Sequence, residues 1–136
     1  MKPEKQTVKA LKCKAWKLFS KYIRMKYAKD GICECFTCGT RRPIEQMQCG
    51  HGISGRGNYI LFLEEICRPQ CEKCNIWQGG AYEIFVPKLC ELYTKSQYWM
   101  WYYESRKPFK RSKQDYIDLV YDLQDKIAHL ENQEGK

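Results

Sequence analysis

"CFTC" at residues 35–38 has its counterpart in "CEKC" at residues 71–74, with 32 residues between the two pairs. Each CxxC unit presents two thiols from one tight turn. Four such thiolates complete a closed tetrahedral Zn²⁺ site, which does no chemistry of its own but contributes folding free energy to a small domain. Cys33, in the run "CECFTC", competes for one of the four places, while most of Cys13, Cys49, Cys67 and Cys90 read as small buried hydrophobes. A redox CxxC would come singly beside a βαβ unit, and no such pattern is present. The frame therefore predicts an α+β domain in which residues 39–70 are held at both ends by metal. Asn75 follows the last ligand directly.

The bulk of the chain agrees with that reading. At 136 residues it is sized for one compact domain with a modest core, where a metal staple helps. Nine cysteines is an odd number, and "MKPEKQTVKA" has no apolar leader, so a reducing, cytoplasmic setting is expected rather than a secreted disulfide framework. There is no apolar run of the roughly 18 residues that a membrane-spanning helix needs. Residues 1–30 carry ten Lys/Arg against two Asp/Glu, whereas residues 31–136 hold fourteen of each sign. All the excess charge is N-terminal. Such a segment suits a polyanion, whose binding would weaken steeply with salt as counterions are released.

Working outward, three segments emerge. In residues 1–30, Val8, Leu11, Ala15, Leu18, Tyr22 and Met25 recur at steps of three and four, which predicts an amphipathic helix ending at Asp30-Gly31. Lys9, Lys12, Lys17, Lys21 and Arg24 occupy its other faces as candidate DNA contacts. Residues 31–95 form the zinc-stapled part: a hairpin and loops, with "YILFL" (59–63) leaning to strand, then after Gly79-Gly80 a helix marked by Tyr82, Phe85, Val86, Leu89 and Tyr93. Pro87 belongs in its first turn or at a kink. Residues 96–136 read as an aromatic and basic connector followed by a helix capped by Ser112. Its seam of Tyr116, Val120, Leu123, Ile127 and Leu130 packs on the domain or on a second copy.

One histidine stands out. In "QCGHGISGRGN" (48–58), His51 sits between two glycines, which leaves the imidazole approachable. Closing the zinc site folds this loop back toward Asn75. Arg56, in the same loop, and Arg68, beside the zinc ligands, are candidate phosphate clamps or ordinary surface arginines. Tyr93, Tyr98, Trp99, Trp101, Tyr102 and Tyr103 form an aromatic cluster that either stacks on unpaired bases or serves as core or interface. His129 is assigned no role.

Taken together, "AWKLFSKYIR", "CFTCGT", "GHGISGR" and "RPQCEKCN" with the following "GG" resemble the phage Rap (NinG) recombination endonucleases, members of the HNH or ββα-metal nucleases. The likeness spans most of residues 8–95. It implies a ββα-metal (HNH-like) core with a structural Cys₄ zinc, flanked by N- and C-terminal helices. It also implies metal-dependent nicking of branched DNA such as Holliday junctions or D-loops. By motif position His51 falls on the general base, Cys35, Cys38, Cys71 and Cys74 on the zinc ligands, and Asn75 on a ligand of the catalytic divalent metal. Branched or single-strand-containing DNA, phage or host recombination proteins and a second copy of the chain are the implied partners.

The chain departs from the family's pattern at Ile66 and Ala81, where asparagine is common, and at Gly50, where many HNH enzymes carry a metal-binding side chain. Phosphodiester hydrolysis needs an activated water, for which a neutral imidazole is a suitable base. It also needs Mg²⁺ or Mn²⁺ on oxygen ligands to stabilise the leaving oxygen. Glu45, Glu64 and Glu65 are the candidate carboxylates. Two functions follow: an HNH-type endodeoxyribonuclease or, with the departures given weight, a zinc-stabilised junction-binding protein that cleaves weakly or not at all.

Overall fold

A computed structural model of the chain describes residues 1–55 and 57–134. Arg56, a candidate phosphate clamp, lies outside the described residues. The N-terminal helix α1 spans Val8–Lys26 and opens at Thr7, whose hydroxyl accepts from the Ala10 N–H at 3.1 Å. Such a cap satisfies one of the four donors that a helix start leaves unpaired. The helix buries Leu11, Ala15, Phe19, Ile23 and Met25, a single apolar face that advances mostly in steps of four. Val8, expected on the inner face, is 45 % exposed.

Two short antiparallel hairpins follow. Strands β1 (Ile32–Glu34) and β2 (Arg41–Pro43) enclose the first CxxC turn, with Cys33 opposite Arg42. Strands β3 (Gln48–His51) and β4 (Cys67–Gln70) pair so that His51 faces Cys67 and Gln48 faces Gln70. The "YILFL" run between β3 and β4 is not a strand. It opens with a short helix, α2 (Asn58–Leu61), because Ile60 is drawn into the core. Tertiary burial overrides the β propensity of a five-residue apolar run.

After β4, a π-helical turn at Lys73–Trp77 leads to Gly79, Gly80 and Ala81, all at positive φ (60°, 101° and 51°). This left-handed stretch reverses the chain into α3 (Tyr82–Leu92). Pro87 lies inside α3 and not in its first turn. The connector expected over residues 96–111 is mostly helix: α4 spans Lys95–Ser105, capped by Thr94, whose hydroxyl accepts from the Gln97 N–H at 3.0 Å. Its apolar residues ring the helix, so it carries no amphipathic signature by which a periodicity could be read. Helix α5 (Lys113–Glu134) opens on a reciprocal cap: Asp115 N–H donates to Ser112 Oγ at 3.1 Å and Ser112 N–H to Asp115 Oδ2 at 2.8 Å.

One core joins all three segments. Phe19 and Ile23 of α1 meet Ile66, Phe85 and Leu89 of the middle segment and Tyr98, Trp101 and Leu123 of the last. The α5 seam packs on α1, with Tyr116, Ile117 and Val120 against Leu11 and Ala15. A second copy is therefore not what covers it. Cys33, Cys35, Met47, Cys71, Cys74 and Ala81 form a separate small core around the two CxxC turns. No helix among the described residues is long and apolar enough to cross a membrane.

Candidate metal centre and nucleic-acid cleft

The sulfur atoms of Cys35, Cys38, Cys71 and Cys74 all lie within 4.8 Å of one another, and Cys38 Sγ is 3.7 Å from Cys71 Sγ. A tetrahedron of Zn–S bonds of about 2.3 Å has edges of about 3.8 Å, so these thiols fit a metal such as zinc. The backbone is tightened around them. Gly39 N–H donates to Cys35 C=O at 2.9 Å, and Asn75 N–H to Cys71 C=O at 3.0 Å. Burial opposes ionisation of Cys35. Hydrogen bonds from the Cys71, Cys38 and Thr37 backbone and the Thr37 hydroxyl outweigh it and bring its pKa to about 6. Burial and the neighbouring thiols push Cys74 up to about 12. Thiols this close cannot all ionise alone, and a divalent cation resolves the conflict. Cys33 is not a ligand: its Sγ donates to the Arg24 carbonyl at 3.0 Å, and burial raises its pKa.

Beside the four-cysteine frame lies a cleft of ≈ 830 Å³ between α1 and the β3–β4 hairpin. His51, at the end of β3, and Asn75, one residue past the last cysteine, both line it. The His51 ring stacks on Trp16 of α1, with centroids 5.4 Å apart and planes at 21°. Its Nε2 lies 3.2 Å from the Leu61 carbonyl oxygen. A carbonyl only accepts, so Nε2 carries the hydrogen in the neutral ring and Nδ1 carries the lone pair. Asn75 Nδ2 donates to Gln48 Oε1 at 2.7 Å, which fixes the amide and leaves Oδ1 as its ligand atom.

The glycines flanking His51 do not open the imagined approach. A Cβ on Gly50 would lie 1.9 Å from Gln70 Oε1, and one on Gly52 2.3 Å from Leu89 Cδ1. Both serve close packing on the strand face opposite the histidine.

The cations divide. Lys9, Lys12 and Arg24 line the cleft, on the face of α1 that also carries Trp16 and Ser20, at steps of three and four. Lys12 Nζ donates to Asn58 Oδ1 at 2.7 Å, and Arg24 holds the Ile44 and Ser20 carbonyls. Lys17 and Lys21 are exposed outside it, and Lys21 pairs with Glu131 of α5 at 3.5 Å.

Arg68 is 5 % exposed, donates to the Glu65 and Cys67 carbonyls and to Tyr93 Oη, and sits over the Tyr27 ring at 4.7 Å. These contacts make it a packing residue and keep it from a phosphate. No carboxylate is among the described residues lining the cleft. Glu64 is taken by Tyr22, Lys26 and Lys126, and Glu65 and Glu45 are exposed outside the cleft. Ile66 is fully buried in the main core, and Ala81 in the core around the cysteines.

Two site residues were not anticipated. Trp16 was legible only by tracing the polar face of α1 through Lys12 and Ser20, since an aromatic among lysines has no catalytic pattern. Gln48 has no distinguishing signal, because an amide two residues before Gly50 gains meaning only when Asn75 is folded against it.

The fold and site thus define an α+β protein with a four-cysteine cluster that could hold a metal such as zinc, beside a basic cleft. Its sequence matches the family model of the bacteriophage lambda NinG protein over residues 1–134, and the chain belongs to that family. No match is found among curated proteins or among solved structures.

Proposed function

We propose that the protein is an HNH-type endonuclease that nicks branched DNA during phage recombination. One observation carries the reading: His51 and Asn75, from a β-hairpin and the helical turn after it, line a single cleft with Lys9, Lys12 and Arg24 and without a described carboxylate. The hairpin and turn supply the two strands and the helical element of a ββα-metal core. The three cations receive a DNA strand by its phosphates. His51, oriented by the Leu61 carbonyl and the Trp16 face, takes a proton from the attacking water.

A bound Mg²⁺ or Mn²⁺ supplies Lewis-acid stabilisation of the departing oxygen. Asn75 Oδ1 fits such a hard cation, whose remaining ligands would be phosphate oxygens and water. With no carboxylate in the described lining, such a cation would be held only weakly by the protein alone.

The missing carboxylate also favours a second reading, a zinc-stabilised protein that binds junctions without cutting them. A cleavage assay on labelled four-way junction, D-loop and linear duplex, with Mg²⁺, Mn²⁺ or no added divalent metal, separates the two. Wild type is expected to nick the branched substrates only with metal, and His51→Ala to lose nicking by at least about a hundredfold while still binding. Tight junction binding without cleavage in any divalent metal would establish the second reading.

A further inference from the structure

Next to Asn75, the turn at Lys73–Trp77 carries Ile76, 54 % exposed and lining the cleft, and Trp77, 78 % exposed. Trp77 is the most exposed aromatic side chain among the described residues and enters none of their ring pairs. An indole left in water forgoes the burial free energy that usually governs tryptophan placement. The backbone leaves little choice. Cys74 must face the other three cysteines and Asn75 faces Gln48, so the next two side chains of the turn point outward. Hydrogen bonds from Asn75 N–H to Cys71 C=O and from Gln78 N–H to Lys73 C=O at 2.8 Å hold the turn on the cysteine frame. The indole is thus carried on a pre-ordered support.

We propose that Trp77, with Ile76 beside it, is a stacking platform for an unpaired nucleobase of the strand whose phosphates lie on Lys9, Lys12 and Arg24. The inference rests on the nucleic-acid reading of the cleft and adds the residue that makes it select unpaired DNA. A flat apolar face one residue beyond Ile76, which lines a cleft with three cations and no described carboxylate, matches a ligand that is both planar and polyanionic. A paired base keeps its faces stacked within the duplex, so only an unpaired one offers a face to the indole. A two-residue apolar patch is also far smaller than a stable protein interface requires.

Equilibrium binding of wild type, Trp77→Ala and Trp77→Phe to a linear duplex and to the same duplex with a single-stranded gap tests this, without Mg²⁺ or Mn²⁺ and without chelator, so that no cleavage intervenes and the cysteine-bound metal is kept. Wild type should favour the gapped probe. Trp77→Ala should lose about tenfold in affinity for it, within the range for one base–aromatic stack, and bind the duplex unchanged. Trp77→Phe should retain most of the preference. Equal affinities of wild type and Trp77→Ala for the gapped probe would overturn the platform, including the case where Trp77 docks a protein. Binding without cleavage in the separate assay would sink only the nuclease reading, whereas a wild type that binds neither probe would overturn both.

Discussion

At the scale of single residues, the glycines around His51 show how one local pattern supports two different physical accounts. In the sequence they read as room for a ligand. In the fold they are room for Gln70 on one side and for Leu89 and Phe85 on the other. Gln70 cannot withdraw, because it is fully buried and its Nε2 is held by Thr37 Oγ1 at 3.1 Å and by the Gly80 carbonyl at 2.9 Å. Gly50→Ala is therefore expected to cost about 1–3 kcal/mol as overpacking, read as a lower urea midpoint with an unchanged slope. An unchanged midpoint would mean that the hairpin face yields easily. His51 was marked as a candidate by a setting whose glycines serve packing instead. Its orienting partners were not, since Trp16 and Leu61 reach it only through tertiary contact.

At the scale of elements, the periodic helices were the most readable part. Helix α1 and the Ser112-capped α5 appear close to where their apolar spacing and end signals place them. Helix α4 was missed because it lacks a polar face, and α2 because five apolar residues fit either a strand or a buried helical turn.

What ties these elements together includes a cluster no periodicity reveals. Glu64 accepts from Tyr22 Oη at 3.0 Å and pairs with Lys26 at 2.6 Å and Lys126 at 3.8 Å, joining α1, the turn before β4 and α5. Partial burial works against the Glu64 carboxylate, but these partners outweigh it and hold its pKa below the ordinary carboxylate value. A depressed carboxylate stabilises the fold above its unfolded pKa and loses that contribution as pH falls through the folded one. Wild type should thus melt above Glu64→Gln at pH 7, by no more than the ~1 kcal/mol expected for partly exposed pairs, and the gap should close below about pH 4.5. A gap that persists at pH 3 would assign it to packing.

At the scale of the whole molecule, the four-cysteine centre is the hinge of the design. It fastens the β1–β2 turn to the segment that carries Asn75, and Phe36 N–H adds a bond to the Pro69 carbonyl at 2.9 Å. Structural zinc in small folds contributes on the order of 10 kcal/mol, comparable to the whole stability of a domain this size. Stripping the metal with a strong chelator, or Cys71→Ser, should therefore abolish the cooperative melt of the middle segment and DNA binding with it. Helical circular dichroism from the paired α1 and α5 should persist in part. Full retention of binding by metal-free protein would show that the β3–β4 hairpin is self-supporting.

By itself the sequence determined the metal frame, the two long helices, the basic N-terminal charge and the pairing of His51 with Asn75 as candidates. Cysteine spacing, apolar period and charge count are local quantities that survive without coordinates. Only the tertiary structure decided which cations face the cleft, that Arg68 is buried among aromatic rings, and that Ile66 and the His51 glycines belong to the core. It also decided that Trp77, two residues after Asn75, stands in solvent. Those outcomes depend on which surfaces are pressed together. A side chain's chemistry is written in its residue type, whereas its accessibility is set by neighbours distant in the chain.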